Sequence, residues 1–209
     1  MDKICAVDFF KRLNKALKDD EANATKAYCN STSWTDYLSD ITQHILEDGY
    51  NLKTNREYLR IDMIGWSGYD KWGTSVDQNV GHMKYTLTSE NNPGLNEFNW
   101  NLEIAIEFEN DPNDWMDEVI KLSHIKCGLK VVIGYTYYED RETKDSNKLN
   151  FVAKHMNTLK YGKIGENENF MIILGNCGKE SKEYESIKED IDFRPYIFNG
   201  KVFEKLDIS

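Results

Sequence analysis

Trp100-Asn101-Leu102-Glu103-Ile104-Ala105-Ile106-Glu107-Phe108-Glu109 is the most regular stretch of the chain. Leu102, Ile104, Ile106 and Phe108 alternate with Glu103, Ala105, Glu107 and Glu109. Side chains along a strand point to opposite faces in turn. This period of two therefore predicts a strand with one apolar face and one carboxylate-lined face. Asp111-Pro112-Asn113-Asp114 then opens a helix, with Asp111 as N-cap, Pro112 at the first helical position and Asp114 three residues after the cap. Trp115, Val119, Leu122 and Ile125 make its apolar stripe, and Gly128 ends it. Leu129 to Tyr135 is mostly apolar, with Val131, Val132 and Ile133 in a row, and reads as a buried strand. A buried strand beyond a capped helix makes 100–109 a central strand. An inward carboxylate there is costly unless it is paired or bound to a metal.

Outward from this unit, residues 57–66 read as another strand, with Tyr58, Arg60, Asp62 and Ile64 on one face and Leu59, Ile61 and Met63 on the other. Two amphipathic helices precede it. Residues 5–19 carry Phe9, Leu13 and Leu17; residues 33–48 carry Trp34, Tyr37, Leu38, Ile41, Ile45 and Leu46, with Ser33 as N-cap and Gly49 as the stop. Residues 67–82, rich in Gly, Ser and Asn, read as a long loop, 83–88 as a short strand, and 89–98 as a turn around Asn92-Pro93-Gly94. Toward the C-terminus come a helix from Asp145 to Tyr161, a buried strand from Phe170 to Leu174, a charged stretch at 179–190 and an apolar piece around Tyr196 to Phe203. The expectation is a single α/β domain over residues 1–209, with a central mixed sheet flanked by helices.

Composition narrows the function. Hydrophobic residues make up 40% of the 209 and aromatics 12%, enough for a core without disulfide support. With 26 basic and 36 acidic side chains the formal net charge is −10, which argues against holding duplex nucleic acid through a broad basic surface. Cys5, Cys29, Cys127 and Cys177 form no Cys-x-x-Cys pair, so reduced and mostly buried thiols are expected. His44, His82, His124 and His155 form no His-x-x-x-His pair. No signal peptide or transmembrane stretch is read, which points to a cytoplasmic protein without membrane contact. An Asn-, Lys- and Ile-rich, Ala-poor composition hints at a bacterial or phage genome. No Gly-x-Gly-x-x-Gly or Walker-type loop supports an organic cofactor.

The chemistry is read from Asp62 and the 103–109 strand together. A strand ending in Glu-x-Glu beside a neighbour carrying Asp offers two or three convergent carboxylates. Mg²⁺ needs no more, because it keeps several waters. Such an ion activates water and stabilises charge on a phosphoryl oxygen. Glu103, four strand residues from Glu107, is read as structural. Other readings stay open: Asp62 as a salt-bridge partner of Arg60 or Lys71, Lys121 paired with Glu118 or Asp117, and Glu47 as an ordinary charge before a helix-ending glycine. Trp66, Tyr69, Trp72 and Tyr85 either stack on bases or anchor the core.

At these residues the chain resembles the PD-(D/E)xK nucleases, the restriction-endonuclease-like fold. The matching pieces are Arg60-Ile61-Asp62, Ile104-Ala105-Ile106-Glu107-Phe108-Glu109-Asn110, the helix Trp115 to Leu122, and Lys130-Val131-Val132-Ile133-Gly134-Tyr135. The resemblance implies a nuclease-like core over 33–136, a helical extension over 1–32, and an additional helix, strand and tail over 137–209. It implies Asp62 and Glu107 as ligands of Mg²⁺ or Mn²⁺, with Glu109 in the usual lysine position; Glu109 is expected to join them as a metal ligand and catalytic residue. Lys121, one helix later, then supplies a displaced ammonium, and Glu47 matches a helical carboxylate that family members often add to the metal site. The substrate it implies is nucleic acid, DNA first, and the family's habit of dimerising extends to a homodimer. The lysines expected to contact nucleic acid are Lys121, Lys126 and Lys130. A rival expectation is a non-catalytic acidic interaction protein, an immunity or phage-defence factor, which occupies a nucleic-acid-binding protein partner. The net charge of −10 and the missing motif lysine motivate it.

Overall fold

The computed structural model describes residues 4–28, 30–68, 77–80, 83–86, 100–137, 141–159, 165, 168–177 and 193–207. Three helices lead: α1 (Ala6–Asp19), α2 (Glu21–Tyr28) and α3 (Ser31–His44). A π-helical turn, Ile45–Gly49, continues α3. Strands β1 (Lys53–Tyr58), β2 (Ile61–Gly68), β3 (Asp77–Val80), β4 (Met83–Thr86) and β5 (Trp100–Phe108) follow. Then come α4 (Trp115–Ser123), β6 (Leu129–Tyr137), α5 (Arg141–Thr158), β7 (Asn169–Cys177), β8 (Arg194–Phe198) and β9 (Phe203–Lys205).

One seven-stranded sheet runs β1-β2-β5-β6-β7-β8-β9, and β3 and β4 form a separate hairpin. β1, β2 and β5 are mutually antiparallel, β5, β6 and β7 are parallel, and β8 and β9 return antiparallel. The parallel pairs require crossovers, which α4 and α5 provide. Both crossover helices cover one face: Trp115, Val119 and Leu122 of α4 and Leu149, Val152 and Met156 of α5 share a buried cluster with Ala105, Val132 and Ile172. On the other face, Phe9, Phe10 and Leu13 of α1 and Trp34 and Leu38 of α3 meet Ile104, Ile106, Phe108, Val131 and Ile133. Each fully buried side chain of this size contributes about 1.5–3 kcal/mol. The alternation of 100–109 thus sorts its residues between two helical layers.

Several sequence expectations shift. Asn30, not Ser33, caps α3; its side chain accepts the Ser33 N–H at 3.0 Å. Asp111 accepts the Asn113 N–H at 2.8 Å in the turn before α4, whose N-cap is Asp114. α2 escaped the reading because its apolar pattern is weak, with Ala24 its one buried residue. The stretch 77–80, expected as loop, is a strand. Residues 89–98 and 179–190 lie outside the described residues. Leu102 leaves the face of Ile104: Gly65 pairs with Ile104 but Trp66 with Leu102, so Glu103 is an extra, bulged residue. Its Oε1 accepts the Ser67 hydroxyl at 2.5 Å.

The largest departure is at 57–66. It is not one strand but the end of β1, a two-residue turn and the start of β2, with Tyr58 paired to Ile61. Leu59 and Arg60 have φ of 50° and 64°, a type I′ arrangement that Asn-Gly adopts readily. For other residues the left-handed region costs roughly 1–2 kcal/mol each. That cost, with Leu and Arg at the turn, hid the hairpin.

Candidate functional site

β2 and β5 separate beyond the Met63–Ile106 pair. There the Asp62 side chain replaces the backbone ladder: its Oδ2 accepts the Phe108 N–H at 2.7 Å. The same register sets Asp62 beside Glu107, which is 1% exposed on the central strand, facing the α4–α5 layer. α4 lies close because β6 has glycine beneath it. A Cβ on Gly134 would sit 2.6 Å from the Trp115 Cβ, and Trp115 is fully buried there. The approach carries Lys121 to the sheet. Its Nζ is 2.8 Å from Glu107 Oε1, contacts Glu118 Oε2 and donates to the Arg60 carbonyl at 3.0 Å.

Two carboxyl groups and one backbone carbonyl therefore surround the ammonium, and Asp62 lies close enough to Glu107 to act on it. Burial pushes the Glu107 carboxyl up to about 8, against the pull of Lys121 and with the added push of Asp62 and Glu118. Burial alone would lower the lysine, but Glu107 and Glu118 hold its ammonium above the ordinary value. Glu107 Oε1 and Glu118 Oε2 are buried without a well-aligned hydrogen bond. Both oxygens have the Lys121 ammonium as their ion-pair partner, and the oxygen donors of Asp62 and Glu107 are of the kind a hard cation takes.

Of the expected residues, Asp62, Glu107 and Lys121 come together. Glu109 does not: its Oε1 turns back to accept the Asp111 N–H at 2.7 Å. Nor does Glu47, which belongs to the α1–α3 layer on the opposite face. There Thr54 and Gln43 donate to it, and the Thr54 hydroxyl foremost holds its carboxyl below the usual range. Lys130 is no surface cation: it is 1% exposed and paired with Glu168 at 2.9 Å, whereas Lys126 is exposed. Among the described residues, no group of three or more His, Cys, Asp or Glu side chains gathers to hold a metal ion. Asp62 and Glu107 form a two-carboxylate set, which suits an ion that keeps several waters. Glu118 was missed as a site residue; its i, i+3 spacing to Lys121 was the available signal.

Other expectations resolve more simply. Trp66 is a core residue, while Tyr69, Trp72 and the Tyr85 side chain lie outside the described residues. Cys5 is exposed, contrary to a buried thiol; Cys127 is buried, which pushes its thiol up to about 12. No described helix is long and apolar enough to cross a membrane. A second polar cluster is structural: Arg194, 5% exposed, donates to Asp145 at 2.9 Å, Asn176 at 2.7 Å and Thr136 at 2.9 Å, tying α5, β6, β7 and β8 together.

Fold and site together define an α/β protein with a mixed seven-stranded sheet and a buried acid–lysine cluster beside its central strand. Comparison with protein-family models, curated proteins and solved structures finds no match to this chain.

Proposed function

We propose that the protein is a metal-dependent nuclease of the restriction-endonuclease-like type, hydrolysing phosphodiester bonds of nucleic acid. The observation that carries the reading is the meeting of Asp62, Glu107 and Lys121 from three separate elements. Support also comes from the element order α3-β1-β2-β5-α4-β6, with the β3–β4 hairpin between β2 and β5: three antiparallel strands and then a parallel one after a helix.

Asp62 and Glu107 would hold Mg²⁺ or Mn²⁺, which when bound activates water and stabilises charge on the phosphoryl oxygens. Lys121 replaces the motif lysine from α4; its ammonium orients the attacking water and offsets the charge gathering on the phosphate. Glu118 keeps that ammonium aimed at Glu107. Arg60, through its carbonyl, ties the β1–β2 turn to the same lysine. Hydrolysis adds water across one P–O bond and breaks the ester, with no redox partner needed. Incubation of plasmid, single-stranded DNA and RNA with Mg²⁺ tests this. Cleavage is expected, and its loss in Asp62→Ala and Glu107→Ala. Cleavage that survives both substitutions sinks the assignment.

A second reading is supported by the net charge of −10 and by Glu109 in the motif-lysine position. In it the protein is a non-catalytic acidic factor that occupies a nucleic-acid-binding partner. Calorimetry separates the two: dication binding with a stoichiometry of one or two supports the nuclease, and no binding at millimolar metal supports the interaction protein.

A further inference from the structure

The tip of the β1–β2 hairpin holds two side chains that the acid–lysine cluster does not use. Leu59 is 77% exposed, the most exposed large hydrophobic among the described residues. Arg60 is exposed, and its guanidinium has no ion pair among the described residues, although Asp62 is two positions away. Both sit at positive φ, as does Glu57 at 56°, where a tip selected for stability alone would carry Asn-Gly. The strained turn is anchored to the site, because the ammonium that meets Glu107 also takes the Arg60 carbonyl at 3.0 Å. An exposed apolar side chain and a cation without an ion pair among the described residues are thus held beside the acid–lysine cluster. On a chain of net charge −10, a phosphate backbone can approach only where cations offset the acids. Guanidinium groups suit phosphate oxygens, and apolar side chains such as leucine enter base steps as wedges.

We propose that the Leu59-Arg60 tip grips the nucleic-acid substrate: Arg60 takes a backbone phosphate flanking the scissile one, and Leu59 inserts against a neighbouring base step. This rests on the nuclease reading. The test is fluorescence anisotropy with fluorescein-labelled single-stranded DNA, duplex DNA and RNA, with Ca²⁺ in place of Mg²⁺ to slow hydrolysis. The double variant Leu59→Asn/Arg60→Gly has the turn chemistry the backbone favours, so it is expected to melt no lower than the parent. It should nonetheless bind roughly tenfold or more weakly. Arg60→Gln alone should reduce the salt dependence of binding by about one phosphate contact. Unchanged affinity in the double variant overturns the role of the tip and leaves the nuclease reading standing. A parent protein that binds none of the three probes overturns both.

Discussion

Glu107 concentrates the tension in the molecule at a single side chain. Its folded-state value of about 8 lies above the ordinary 4.5. Between those values the folded chain keeps a proton that the unfolded chain has released. The stability associated with it is therefore complete below the ordinary value and is lost as pH rises through about 8, with a slope approaching 1.4 kcal/mol per pH unit. Glu107→Gln should flatten that slope in urea unfolding run at a series of pH values from about 5 to 8; a slope unchanged by the substitution would assign it to another group. Lys121→Met removes the ammonium but leaves Asp62 and Glu107 in place. The expected outcome is a cleavage rate lower by roughly a hundredfold, with dication affinity measured by calorimetry nearly unaltered. A parallel collapse of metal affinity would make Lys121 a scaffold for the ligands instead. At this scale the sequence draws attention to Asp62 and Glu107, because a carboxylate between apolar neighbours is conspicuous. Glu109 shares Glu107's strand parity but lies just past the end of β5, where the chain turns and its side chain serves the turn at Asp111.

At the scale of elements, α4 decides whether the site exists, since Lys121 and Glu118 both ride on it. Its seat is Gly134, where an added Cβ would meet the Trp115 Cβ at 2.6 Å, a rigid neighbour next to the helix backbone. Gly134→Ala should therefore lift α4, lower stability by about 1–3 kcal/mol and reduce cleavage by withdrawing Lys121. Thermal melting and the plasmid assay read both effects; an alanine variant with parental melting and parental cleavage would show that the helix is seated by other contacts. β5, β6 and β7 were legible because their apolar periodicity is local and strong. The β1–β2 hairpin was not, because its turn lacks glycine and asparagine and is held by the distant Lys121. The bulge at Glu103 was equally hidden, since a bulge is a property of two paired strands.

Across the whole molecule, the sheet continues past the unit that carries the site. β7, β8 and β9 extend it, and the Arg194 cluster joins them to α5 and β6. Arg194→Leu leaves Asp145 buried at 2% exposure without its cation and should cost about 3–5 kcal/mol in urea unfolding. The double variant Arg194→Leu/Asp145→Leu should cost less than the single one; if it costs more, the pair is not the source of the loss. Through hydrophobic periodicity, helix punctuation and composition, the sequence by itself determined an α/β chain with a central acidic strand, helices on its flanks and a surplus of negative charge. These signals are short-range, so they survive without knowledge of partners. Only the tertiary structure decided which acids meet. Asp62, Glu107, Glu118 and Lys121 converge because strand register and the seating of a helix on Gly134 bring them together, while Glu47 and Glu109 find nearer partners. The physical reason is that a buried charge is placed by what surrounds it in space, and register, bulge and helix approach are set by contacts between residues far apart along the chain.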